Sequence, residues 1–221
     1  MYYKVIRRKE GDEMGRIIEF NRDQAVEIAM HEFWQHGYSE VSIKSVSQKI
    51  GISRSSFYNT FGSIELLFAE VLDLYEYDAP IRKLRTAYSS EEEDKGNLET
   101  PVNSIRSMFQ TLCKLRARDS EHRGCLIINC LGDLNHFNAQ AQTDILGRIQ
   151  VLRGEFHKTL RLAVNLGELP KHTDTHKLAL SLQTLAVGIN SMSKIIHAEE
   201  GLNAIANSTL DGIGINAAKH D

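Results

Sequence analysis

The stretch GISRSSFYNTF, residues 51–61, decides how this chain is read. A glycine closes one segment, and a serine two positions later opens another. Gly51 has no Cβ and can take the left-handed conformation that ends a helix. Ser53 is a favoured N-cap, because its hydroxyl accepts a hydrogen bond from a backbone N–H of the first turn that follows. At 100° per residue, Phe57 and Phe61 fall about 40° apart and face a core. Arg54, Ser55, Tyr58 and Asn59 occupy the other side, and Ile52 plugs the corner.

Working upstream, Ile43, Val46 and Ile50 make one narrow apolar stripe, which predicts a short helix capped by Ser42. Before it, Val26, Ala29 and Phe33 recur at helical spacing, with Ala25 and Ile28 beside them. They predict a helix from Arg22 to His36 that stops at Gly37. A short helix, a tight turn and a second helix with a donor-rich face are the parts of a helix-turn-helix whose second helix enters the major groove. Arg54 and Asn59 suit base edges; Tyr58 and the hydroxyls suit phosphates. The same pattern also describes two amphipathic helices joined by a capped turn, and pattern alone does not choose between these readings.

Composition bounds the remaining choices. The 221 residues carry 25% charged and 42% hydrophobic side chains, the mix of a soluble globular protein. The net charge is -3, so a basic surface over the whole molecule is excluded. Residues 1–61 hold 9 Lys+Arg and 8 Asp+Glu, which permits DNA binding only through a local patch. No apolar run reaches the ~18 residues of a membrane span, and residues 1–13 lack the apolar core of a secretory signal. Three cysteines do not make a disulfide framework, so a reducing cytoplasm is the expected location. Only three prolines, at 80, 101 and 170, interrupt the chain, and no period-2 alternation is bounded by turn residues. The expected fold class is therefore all-α. The acidic run SSEEEDKGNLET, 89–100, reads as an exposed loop or linker.

The longer string AVEIAMHEFWQHGYSEVSIKSVSQKIGISRSSFYNTFGSIELLFAEVL, 25–72, closely resembles the N-terminal domain of the TetR (tetracycline-repressor-like) family. The matching residues are Phe33-Trp34, Gly37-Tyr38, Ser42-Ile43, Gly51-Ile52-Ser53, Phe57-Tyr58 and Phe61-Gly62, continued by Leu66 and Phe68. RGCLIIN at 123–129 resembles a segment of one broad branch of the family. LGELPKHTDTHKLALSLQTLAVGINSMSK at 166–194 resembles its last two helices. The resemblance implies about nine helices, a small DNA-binding domain, a larger ligand-binding and dimerisation domain, and repression by a dimer on a palindromic operator of double-stranded DNA. It also implies that Ser42, Lys44, Arg54, Ser55, Tyr58 and Asn59 face that DNA. The corresponding division is an extension over 1–19, a helix-turn-helix domain over 20–65 and an effector and dimerisation domain over 66–215. Two departures stand out. Ile64 replaces a lysine that the family commonly uses near a phosphate. Residues 1–13, with Lys4, Arg7, Arg8 and Lys9, precede MGRIIEF at 14–20 and read as an upstream start rather than a basic arm on DNA.

Ile64, Leu67, Phe68, Val71 and Tyr75 predict a fourth helix that connects the two domains. Ile145, Ile149, Leu152, Phe156 and Leu160 make a later stripe. Leu178, Leu182, Leu185, Ile189, Met192 and Ile196 make another, with the 4-3-4-3-4 spacing of a coiled-coil seam. That seam is either a buried core helix or, as the resemblance implies, a homodimer interface in a four-helix bundle. Phe109, Leu126, Asn129, Cys130, Phe137 and Phe156 are candidate lining residues of an effector pocket, and their apolar bias suits a small lipophilic ligand.

No metal or other cofactor is expected. Cys125 and Cys130 sit about 140° apart on a helix, and Asp174 reads as an N-cap that leaves His172 outside the helix of His176. Cys125 follows Arg123 and Gly124 at the start of an apolar helical stretch. That setting is compatible with a thiolate and a redox or electrophile sensor, but a small core residue is the preferred reading of Cys125. No phosphate-binding glycine loop or nucleophile elbow supports an enzyme. An all-helical interaction module without DNA binding is the remaining alternative.

Overall fold

The computed structural model describes residues 21–76, 80–81, 84 and 99–216. The extension expected over 1–19 and most of the acidic run lie outside these residues. Among the described residues there are nine α-helices and no strand. They are α1 (Arg22–His36), α2 (Ile43–Ile50), α3 (Arg54–Phe61), α4 (Ile64–Glu76), α5 (Pro101–Ala117), α6 (Leu126–Asn129), α7 (Ala139–Asn165), α8 (Thr175–Met192) and α9 (Glu199–Gly212). A 3-10 turn, Leu134–His136, leads into α7.

Local chemistry sets the boundaries. The Asn21 side chain accepts from Gln24 N–H at 3.1 Å and opens α1. Ser42 and Ser45 form a reciprocal capping box at α2. Gly51 closes that helix with φ 84°, a left-handed value that only glycine takes without strain. The Ser53 hydroxyl accepts from Ser56 N–H at 3.1 Å. The first three helices therefore begin and end where the sequence places them. Thr100 caps α5, with Pro101 in the first turn, where its missing N–H costs nothing. Asp174 accepts from Lys177 N–H and caps α8, which leaves His172 outside as expected.

Two hydrophobic cores result. The first gathers Val46, Phe33, Phe57, Phe61, Leu67, Phe68, Val71 and Leu72 from α1–α4. It also takes Leu126, Ile127, Cys130, Phe137 and Ile145 from beyond residue 120. Tyr38 stacks on Phe137 at 4.1 Å between ring centroids, and Phe33 meets Phe68 edge-on at 4.8 Å. Burying each such side chain contributes about 1.5–3 kcal/mol. A division at 65/66 cuts through this core, because α4 supplies Leu67, Phe68, Val71 and Leu72 to it.

The second core lies between α5, α7, α8 and α9 and contains Phe109, Leu112, Phe156, Leu160, Leu182, Leu185, Ile189 and Leu202. Helix α7 is 27 residues long and serves both cores, with Ile145 in the first and Phe156 and Leu160 in the second. It is connected to α8 through residues 166–174, and the two helices pack along each other, with the Gln183 amide donating to the Ile149 carbonyl.

This arrangement corrects the reading of the seam. Leu182 and Ile189 are fully buried within one chain, Leu185 is buried, and Leu178 and Met192 pack partly buried against the same core. These five residues face inward onto their own protomer. The outward faces of α7 and α8 instead carry Val151 and Leu180, each more than 40% exposed, while the equally exposed Leu146 lies about 140° round α7 from Val151.

Candidate nucleic-acid interface

The helix-turn-helix is held by contacts that leave its reading face open. Phe57 and Phe61 are buried, with ring centroids 5.4 Å apart. Arg22 clamps α1 to α4 through Glu70, at 2.6 Å, and its guanidinium lies 5.4 Å from the Phe61 ring. Lys49 is engaged by Glu32 at 3.2 Å, which ties α2 to α1.

All six DNA-facing candidates, Ser42, Lys44, Arg54, Ser55, Tyr58 and Asn59, are exposed. The structure brings Arg54, Ser55, Tyr58 and Asn59 together on one face of α3 and places Ser42 and Lys44 at the start of α2. No ion pair holds Lys44 or Arg54 among the described residues. Tyr58 is 54% exposed and rests edge-on against Phe57. The serines differ in availability. The Ser42 hydroxyl is committed to the α2 cap, and Ser53, Ser55 and Ser56 form a hydroxyl cluster with oxygen separations of 2.9–3.1 Å. Ser56, exposed on the first turn of α3, belongs to that polar surface as well. Ile64 is half-buried against the first core and presents no charge.

The six effector candidates do not line one cavity. Phe109 and Phe156 stack at 5.8 Å inside the second core. Leu126, Cys130 and Phe137 lie in the first core, and the Asn129 amide donates to the Arg123 carbonyl at 2.8 Å. They are separated because α6 turns toward α1 and α4, while α5 turns toward α8 and α9. The surface clefts among the described residues include one that is mainly polar and one that is mainly apolar. One, of about 410 Å³, lies between α5 and α9 beside Gln110, Lys114, Glu199, Asn203 and Asn207. The other, of about 380 Å³, lies beside Glu76, Asp144 and Arg148, where α4 meets α7. The first is mainly polar, whereas the second exposes more apolar than polar surface, with Gly147 and Val151 beside its charged groups.

The cysteines are also placed differently from expectation. Burial pushes the Cys113 thiol up to about 11 and the Cys130 thiol up to about 12. Cys125 is half-buried at the N-cap of a helix only four residues long. The Arg123 guanidinium is held by Asp119 at 2.9 Å and Glu121 at 3.1 Å. No group of three or more metal-ligating side chains occurs among the described residues. No described helix is long and apolar enough to cross a membrane.

Sequence reasoning missed the polar groups that join the first core to the second. Arg148 on α7 reaches Asp73 and Glu76 of α4 at 2.6 and 2.7 Å. Arg123 reaches His31 of α1 at 3.0 Å. Arg116 of α5, buried, donates to Tyr75 of α4 and to Asn190 of α8. The available signal was an arginine and an asparagine inside otherwise apolar helical stripes.

Comparison with known proteins agrees with this architecture. Residues 26–71 match the model of bacterial regulatory proteins of the tetR family, and 101–209 match the tetracyclin repressor-like C-terminal domain. The HTH-type transcriptional repressor ComR of Escherichia coli (strain K12) is 26% identical over 89% of this chain and 90% of its own. The uncharacterised HTH-type transcriptional regulator YezE of Bacillus subtilis (strain 168) is 24% identical over 82% of this chain and 90% of its own. A cysteine mutant of the TetR family regulator CifR, complexed with 26-bp double-strand operator DNA, shares the fold. Its TM-score is 0.73 at 23% identity, covering 89% of this chain and 98% of that one. With two models of one family spanning both parts of the molecule, and with relatives that are regulators rather than enzymes, the chain belongs to the TetR family of DNA-binding transcriptional regulators.

Proposed function

We propose that the protein is a homodimeric repressor that reads an inverted-repeat operator with paired α3 helices and releases it when a small molecule binds. The observation that carries this reading is the face of α3, where Arg54, Ser55, Tyr58 and Asn59 are exposed together and no ion pair among the described residues holds Arg54. Arg54 and Asn59 have the donor geometry for base edges, and Tyr58 and the serine hydroxyls for phosphates. Lys44 adds a phosphate contact from α2. A repressor named among the relatives and an operator-bound neighbour of the same fold support it.

The dimer surface is assigned to the outward face of α7 and α8. Val151 and Leu180 are exposed there. Gly147, Gly154 and Gly188 have open space where a Cβ would stand, which lets a second helix approach closely. A second copy of the same face would complete a four-helix bundle. The reading places the protein in the cytoplasm, where its DNA is. The effector is assigned to a small molecule with polar groups in the polar cleft between α5 and α9, because the α4–α7 cleft shares Gly147 and Val151 with the proposed dimer face.

Selection of bound duplexes from random DNA tests this function. An enriched inverted repeat, released in a subsequent screen of small molecules, supports it. Absence of any sequence preference contradicts it.

A further inference from the structure

Five residues from both cores close a ring of contacts. Arg116 on α5 is 4% exposed, and no ion pair reaches its guanidinium among the described residues. Its Nη2 donates to the Tyr75 hydroxyl at 3.1 Å, and its Nε donates to Asn190 Oδ1 at 2.5 Å. Asn190 is buried on α8 and returns its own amide to the Ala186 carbonyl at 2.7 Å. The Asn190 carbonyl lies against Gly124, where a Cβ would stand only 2.8 Å away. Gly124, at φ 73°, takes the left-handed conformation that makes this approach possible. The Gly124 carbonyl accepts from Trp34 Nε1–H at 3.2 Å, and Trp34 meets Tyr75 edge-on at 5.0 Å. The circuit runs Tyr75, Arg116, Asn190, Gly124, Trp34 and back to Tyr75.

Two members, Trp34 and Tyr75, belong to helices that carry the DNA-reading head. Asn190 belongs to α8, which carries the proposed dimer face, and Arg116 is the cation between them. A buried guanidinium must keep its acceptors, because stripping one from a desolvated charge is far costlier than losing a surface hydrogen bond. Tyr75 is such an acceptor and stands in the last turn of α4. Burial and the nearby Cys125 thiol push its own ionisation up, which keeps the hydroxyl neutral. Any swing of α4 away from α8 separates Tyr75 from Arg116. The ring therefore resists changes in the angle between the reading head and the dimer face.

We propose that Arg116 is a positioning residue that sets which operator spacing the protein accepts. In a twofold dimer, the angle between each reading head and the dimer face fixes the distance between the two α3 helices. That distance selects the number of base pairs between half-sites. The inference rests on the dimeric inverted-repeat reading above. It adds that spacing selectivity, as distinct from base selectivity, resides in a polar circuit far from the DNA.

The test uses the full chain and an inverted repeat selected by the wild type from random duplexes. Half-site separation is varied in single base pairs, and binding is measured for wild type, Tyr75→Phe and Arg116→Gln. Tyr75→Phe keeps the ring on Trp34 and removes only the hydroxyl, so it decides the question if Arg116→Gln does not fold. Sedimentation establishes that each protein is dimeric. The expected result is that Tyr75→Phe reduces the preference for the best spacing over its neighbours by about fivefold or more, with the base preference inside each half-site unchanged. An equal loss at every spacing, or a spacing profile identical to wild type, overturns the proposal. A wild type that selects no inverted repeat overturns the dimeric reading, and this inference with it.

Discussion

The guanidinium of Arg123 lies 4.0 Å from the centre of the Trp34 ring, and that indole is the sole tryptophan of the chain. Trp34 sits on α1, beside the DNA-reading helices. Arg123 sits on the loop that precedes α6. The contact spans the junction between the first core and the loop that runs against α8. It gives the junction an intrinsic fluorescent reporter.

Arg123→Ala should expose one face of the indole and shift Trp34 emission to the red, with a cation–π loss of about 0.5–2 kcal/mol. Emission spectra and chemical unfolding of the variant check this. An unchanged spectrum would mean that the solution contact differs from the one described.

The same junction should respond to acid. Burial of Asp119 favours its neutral form, but hydrogen bonds from the Arg123 side chain and backbone N–H outweigh that and hold the carboxyl below the usual range. A depressed carboxyl contributes stability that is fully present above the unfolded value of about 3.9. That stability is lost as pH falls through the folded value. Trp34 emission should therefore be constant from neutral pH down to about 4 and change below it. Asp119→Asn should show the altered emission already at neutral pH. A wild-type transition centred near neutral pH would implicate a histidine instead.

Variants of α3 should separate two kinds of DNA contact. Tyr58→Phe should weaken binding to all sequences by a similar factor, at about 0.5–1.5 kcal/mol for one hydrogen bond. Arg54→Ala and Asn59→Ala should also relax base preference, at about 1–3 kcal/mol for each good base contact. Binding titrations against the selected site and its single-base variants measure both effects. A change of preferred sequence caused by Tyr58→Phe alone would reverse the assignment.

Leu180 and Leu185 stand on the same helix but on different surfaces: Leu180 is 50% exposed and Leu185 is 7% exposed. Leu180→Asp should leave the helical content intact and dissociate the dimer. Leu185→Asp buries a charge without a partner and should destabilise the fold itself, by about 2–5 kcal/mol. Sedimentation and circular dichroism distinguish the outcomes. A stably folded Leu185→Asp monomer would move the interface back to the inward stripe.

The contrast between those two leucines explains what the sequence could and could not convey. Helix ends were legible because a Ser42 cap or a Gly51 stop is decided by a few neighbouring residues. The α3 face was legible because Phe57 and Phe61 fix its orientation by period alone. The direction in which the α8 stripe packs was not, because a coiled-coil seam and a buried core helix share one period. The ligand-lining residues were not legible for a related reason. Phe109 and Phe137 are both apolar and both helical or near-helical, yet the turn after Cys130 sends Phe137 into the first core and leaves Phe109 in the second. Arg116 was passed over because a single arginine in a stripe ordinarily reaches water. Its partners, Tyr75 and Asn190, lie 41 and 74 positions away.

The most direct measurement is the symmetry of the DNA site together with the number of chains bound to it. Duplexes selected from random DNA, sequenced and then footprinted, give the first; sedimentation of the complex gives the second. The account predicts an inverted repeat contacted in two major grooves about 34–36 Å apart, or a little more for a long operator, with at least two chains bound. Sequence-specific binding of a single chain to one asymmetric site would contradict it.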